Sequence, residues 1–109
     1  MSGTATLFTD IVGSTEKAVE LGDGGWAELL ERHHSVVRAE IDRFGGQEMD
    51  TSGDGFFVVF ERPADALAAA ACVRDAVRRL GLHVRSGVHD RRSRRARRDS
   101  RLRRGQGRR

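Results

Sequence analysis

At 109 residues the chain holds at most one small domain, and its single cysteine, Cys72, excludes both an intramolecular disulfide and a cysteine-based zinc centre. The formal net charge of +4 averages two unlike parts, since residues 1–89 carry net −5 and residues 90–109 carry net +9. The pI near 10.8 therefore belongs to the tail, which excludes reading the whole chain as a basic nucleic-acid binder. No signal peptide precedes the first strand, and no apolar run reaches the ~20 residues needed to span a bilayer, so a soluble, cytoplasmic protein without a membrane span is expected.

In chain order, Ala5–Thr9 is short and β-prone and ends at a polar tip, Asp10. Gly13, Ser14 and Thr15 offer capping residues for a short helix over Glu16–Leu21, which Gly22 closes. From Gly25 to Phe44, Trp26, Leu29, Leu30, Val36, Val37, Ile41 and Phe44 recur at helical spacing until Gly45-Gly46 stops the run. His33 lies on that stripe and His34 beside it; with no second ligand three or four residues away, both read as core-edge histidines rather than metal ligands. Gln47–Thr51 and Phe56–Phe60 read as a hairpin with Asp54 at its tip. Pro63 opens a helix that runs to about Leu80, on which Cys72 reads as a buried structural thiol. Gly81 stops it, and His83–His89 reads as a fourth strand. The order β-αα-β-β-α-β is that of a ferredoxin-like α+β core, with a four-stranded antiparallel sheet and helices on one face.

Two carboxylates stand where apolar runs break into turns: Asp10 in Leu7-Phe8-Thr9-Asp10-Ile11-Val12-Gly13-Ser14-Thr15, and Asp54 in Asp50-Thr51-Ser52-Gly53-Asp54-Gly55. Carboxylates on adjacent strand tips suit a two-metal phosphoryl-transfer site, because Mg²⁺ favours a few carboxylates plus substrate phosphate oxygens over a full protein cage. The loop after Asp10 enters a helix N-terminus, where backbone N–H groups and the helix dipole suit a polyphosphate.

These two segments, in this order of elements, resemble the metal-binding half of class III adenylate/guanylate cyclase catalytic domains. The resemblance covers roughly Ala5–His89, so the expected organisation is a partial, truncated cyclase domain over residues 1–89 and a basic tail over 90–109. It implies two ions, Mg²⁺ or Mn²⁺, held by the side chains of Asp10 and Asp54 and by the backbone carbonyl of Ile11. The phosphates of ATP or GTP would then lie on Val12, Gly13, Ser14 and Thr15. Asp50 matches the position that reads the purine, and its short carboxylate leaves the base unassigned. Family sites form across a head-to-tail dimer, which implies a homodimer or a heterodimer with another cyclase chain.

Arg85-Ser86-Gly87-Val88-His89 resembles the family strand that ends in Gly-Ile/Val-His, yet Asp90-Arg91-Arg92 follows where Thr-Gly is usual. The family's second purine-reading residue, ribose-orienting Asn and transition-state Arg lie beyond that point and have no match here. The abrupt change of composition reads as a frame shift in a GC-rich gene. The last 20 residues hold almost nothing apolar, so a disordered tail is expected, able to bind nucleic acid non-specifically by charge.

Overall fold

The computed structural model describes residues 4–90. Strand β1 (Ala5–Ile11) leads to helix α1 (Ser14–Arg43), the hairpin β2 (Gln47–Ser52) and β3 (Gly55–Phe60), helix α2 (Pro63–Arg78) and strand β4 (Val84–Asp90). The sheet order is β2-β3-β1-β4 with every neighbour antiparallel. This is the expected α+β core. The Arg-rich segment after Asp90 lies outside the described residues, and Asp90, expected to begin the tail, instead pairs with Ala5 in β4.

Strand alternation sorts the two faces. Ala5, Leu7, Thr9 and Ile11 of β1 and Phe56, Val58 and Phe60 of β3 are buried beneath the helices. The opposite face carries Phe8, half exposed, across from Phe57. Helix α2 buries Ala66, Ala69, Val73 and Val77, a stripe at spacings of three and four whose small residues let it lie close against β4 and β1. Helix α1 buries His33, Val37 and Ile41. Each fully buried large side chain here contributes about 1.5–3 kcal/mol over its exposed state.

The helical run Ser14–Arg43 is broken where the short and long helices were expected to part: Gly22 stands at φ 76° and ψ 169°. The short helix begins at Ser14, and Gly13, at φ 67°, occupies the N-cap position without any side-chain cap, so Ser14 and Thr15 are first-turn residues rather than caps. At the far end, the Gly45 N–H donates to the Asp42 carbonyl and the Gly46 N–H to that of Ile41, the paired closure that uses a left-handed Gly45 (φ 72°).

Gly46 is needed for a different reason. A Cβ there would stand 2.7 Å from two ring carbons of Phe60 and 2.8 Å from Val58 Cγ1, both in the core. Gly46→Ala is therefore expected to cost ~1–3 kcal/mol, read as a lower urea midpoint with an unchanged slope. A variant as stable as the wild type would show that α1 and β2 can move apart at this joint.

Candidate functional site

The antiparallel ladders carry the expected carboxylates to one end of the open sheet face. Strand β1 runs two residues further than expected, because β4 pairs with it as far as Ile11–Val84. Asp10 is thus an in-strand residue on the open face, not a tip beyond the strand. The register sets it opposite Arg85, whose Nε lies 3.3 Å from Asp10 Oδ1 and whose Nη2 lies 3.5 Å from Oδ2. The Arg85 side chain is largely exposed, so this pair is a weak surface contact that a stronger cation can displace.

Asp54 sits in the two-residue turn Gly53-Asp54 between Ser52 and Gly55. Gly53 has φ 57° in the first central position, where a type II′ hairpin turn takes glycine. The Asp54 carboxylate is tied down by Ile11, whose N–H donates to Oδ2 at 3.0 Å. Gly55 permits this approach, since a Cβ there would lie 3.2 Å from the Thr9 carbonyl oxygen. A bond 43 residues apart in sequence therefore holds the hairpin tip against the end of β1.

Asp10, Asp50 and Asp54 line one cleft of about 240 Å³ together with Phe8, Ser52, Gly55, Phe56 and Phe57. The structure thus brings the two expected metal ligands and the expected base-reading residue into one site. Among the described residues, no three His, Cys, Asp or Glu side chains gather as a closed metal cage. An open pair of carboxylates is nevertheless the donor set that suits Mg²⁺ or Mn²⁺, which complete their shells with water and phosphate oxygens.

The loop expected to hold phosphates is only partly free to do so. The Val12 N–H is spent on the His83 carbonyl at 2.8 Å, and that of Ile11 on Asp54. The first-turn N–H groups of Ser14 and Thr15 have no intrahelical acceptor. Glu16 folds back toward Gly13, its Oε2 lying 3.3 Å from where a Cβ would stand.

Arg85 is the site residue that sequence reasoning missed. Alternation in β4 shows which face it occupies, but only the β1–β4 pairing shows that it meets Asp10. Beneath the sheet, the fully buried His33 places Nδ1 3.0 Å from His34 Nδ1, and both rings contact Phe56. Burial, then the charge of His34, pushes His33 down to about 4, against a smaller upward pull from Asp54. The reading of His33 as a core residue holds. Cys72 is half-buried, not fully buried as expected.

The two-carboxylate cleft lies at one end of an uncovered antiparallel sheet in an α+β domain, and comparison with known proteins shows which domains share this fold. No protein-family profile matches the chain. The adenylate cyclase of Lachancea kluyveri is 36% identical over 63 residues, 58% of this chain and 3% of that protein. The adenylyl cyclase CyaB of P. aeruginosa superposes with a TM-score of 0.71 at 20% identity, over 77% of this chain and 53% of that one. The guanylate cyclase domain of RhGC from Catenaria anguillulae, solved with GTP, gives 0.69 at 16% identity, over 77% and 53%. The chain has the fold of class III adenylyl/guanylyl cyclase catalytic domains and spans about half the length of these solved chains. Among the described residues no helix is long and apolar enough to cross a membrane.

Proposed function

We propose that this chain supplies the metal- and triphosphate-holding half of a class III nucleotide cyclase site. The reaction joins the ribose 3′-oxygen of ATP or GTP to its own α-phosphorus, giving a 3′,5′-cyclic nucleotide and releasing pyrophosphate. The observation that carries this reading is the gathering of Asp10 and Asp54 in one cleft, with Arg85 of β4 held against Asp10. Asp10 and Asp54 would hold two Mg²⁺ or Mn²⁺ ions, with the Ile11 carbonyl as a further ligand. Bound there, the ions would lower the pKa of the attacking hydroxyl and neutralise charge on the phosphates.

The chain's own groups divide the remaining work. Asp54, fixed by the Ile11 N–H, would be a preorganised ligand, and Asp10 would turn from Arg85 to hold the cation. The guanidinium would then be free for the phosphates, which it can bind through a fork of N–H groups. Ser14 and Thr15 offer further N–H groups at the helix start. Asp50, which also lines the cleft, would take the purine, accepting from guanine N1–H and its 2-amino group or from the 6-amino group of adenine. Phe8 and Phe57, 50% and 39% exposed beside the cleft, give the open face an apolar surface that suits cover by a second cyclase chain.

The test is complementation. The chain alone is expected to turn over little or no ATP or GTP. Mixed with a homologous cyclase whose own metal-binding aspartates are replaced, it should restore Mn²⁺-dependent cyclic-nucleotide formation, and the Asp10→Asn variant should not. Failure to restore any turnover with partners that demonstrably dimerise would remove the proposal.

A further inference from the structure

The strand that carries Asp50 holds an irregularity immediately before it, at Met49. In β3, Phe56, Val58 and Phe60 face the helices, so Gly55, Phe57 and Val59 face the open side. The hairpin pairs Gln47 with Val59 and Glu48 with Val58, then skips Met49 and pairs Asp50 with Phe57 and Thr51 with Phe56. Glu48 and Thr51 therefore lie on the helix side, while Gln47, Asp50 and Ser52 lie on the open side. Counted from the Gly53-Asp54 turn, Asp50 stands opposite Phe57 and lines the cleft with or without the extra residue. What the bulge changes is the residue before it: an unbroken ladder would put Met49 opposite Val58, and the extra residue puts Glu48 there instead, on the helix side.

The bulge is gripped on both sides. Arg38 of α1 forks onto Glu48, Nε to Oε1 at 2.9 Å and Nη2 to Oε2 at 3.1 Å. The Thr51 hydroxyl donates to the same carboxylate, and the guanidinium of Arg38 lies 5.4 Å from the centroid of the Phe56 ring. The residue before the bulge and the second residue after it are thus held by one carboxylate and anchored to the helix. Arg38 and then Thr51 hold the Glu48 carboxyl down to about 2, so the grip is charged at neutral pH.

Given the reading of the cleft as a purine-nucleotide site, we propose that the Arg38–Glu48–Thr51 clasp anchors the edge strand on both sides of Met49-Asp50 and so holds Asp50 steady in the cleft. Arg38 and Glu48 are then positioning residues for the base end of the nucleotide, although neither touches it. The clasp limits how far the edge strand can move, and Asp50 with it. As a half-exposed ion pair it adds little to global stability.

Two readouts on the full-length chain test this. In Arg38→Ala, amide exchange over residues 49–52 should rise about tenfold or more while that of β1 and α2 is unchanged, a local opening rather than a global one. Next, the Mn²⁺-supported affinities for fluorescent ribose-labelled GTP and ATP are compared. Asp50→Ala should shift the GTP-to-ATP ratio by about tenfold, the loss of one charged hydrogen-bonding group. Arg38→Ala and Glu48→Gln should move the ratio the same way with Mn²⁺ affinity intact, and Arg38→Lys should fall between. Unchanged exchange in Arg38→Ala overturns the clasp. A ratio that follows Asp50→Ala but not Arg38→Ala overturns the positioning role. If Asp50→Ala leaves the ratio unmoved, the base-reading role of Asp50 fails, and the exchange result alone decides whether the clasp holds the bulge.

Discussion

Asp10→Asn and Asp54→Asn should each weaken Mn²⁺ binding to the full chain at least about 100-fold, the upper range seen when only an outer-shell partner of a metal ligand is removed. Asparagine keeps the shape and removes the charge that a hard cation requires. The two positions differ in what they do for the fold, and alanine separates them. Asp54→Ala leaves the part-buried Ile11 N–H without its acceptor, an expected cost of ~1–3 kcal/mol. Asp10→Ala removes only a surface contact with Arg85 and should leave stability within about 0.5 kcal/mol. Asn at 54 still offers a side-chain oxygen to Ile11, so Asp54→Asn should lose metal while keeping most of its stability. Calorimetric titration with Mn²⁺ and urea unfolding of the same four variants read both effects. Undiminished Mn²⁺ binding in both Asn variants would falsify the two-carboxylate site.

The second large effect is on acid stability. His33 is neutral in the folded chain, with its pKa at about 4 against 6.5 for the free side chain. The unfolded chain therefore binds more protons at this residue between those values. The contribution of neutral His33 is whole above pH 6.5 and is lost as the pH falls toward 4. The full span corresponds to about 3 kcal/mol, and the step from pH 7 to pH 5 to about 2 kcal/mol. The groups that act on His33 are His34, which disfavours its protonation, and Asp54, which favours it less strongly. Urea unfolding at pH 7 and pH 5 should show the loss in the wild type and its absence in His33→Leu. Leucine has similar bulk and removes Nε2, a buried nitrogen with no hydrogen-bond partner. Glu48, held low by Arg38, keeps its contribution above its ordinary range and loses it only as pH falls toward 2. The two effects fall in different windows. Equal slopes for wild type and His33→Leu between pH 7 and 5 would show that His33 does not govern this step.

What was legible in the sequence was what local chemistry decides. Gly22 after a short helical run, Gly45-Gly46 after a long one and Pro63 before a third mark the helix limits because backbone conformation changes at those residues. That Phe56–Phe60 is a strand follows from its unbroken apolar run, although which of its residues face the helices does not. The pairing of Asp10 with Asp54 was legible as chemistry, since each carboxylate stands beside a glycine-bearing turn. Three further features were not legible, and each is set by contact with another element. Strand β1 extends to Ile11 only because β4 supplies partners there. Arg85 reaches Asp10 only through the same ladder. The Met49 bulge leaves no trace in Gln47-Glu48-Met49-Asp50-Thr51-Ser52, which has no apolar alternation to interrupt; its register is set by Phe56, Val58 and a helix residue ten positions earlier.

The sheet order also governs when this site can exist during synthesis. Among the described strands, central β1 is made first and its outer neighbour β4 last. The contact between Asp10 and Arg85 closes a loop of 75 residues. A nascent chain that ends short of β4 offers β1 as a bare edge, with Asp10 facing water and no guanidinium to hold it. Such long-range closure is slow compared with the folding of either helix. Closure of this ladder therefore waits for β4 to leave the ribosome, and until then the half-built sheet is a surface for chaperones and for unwanted strand pairing.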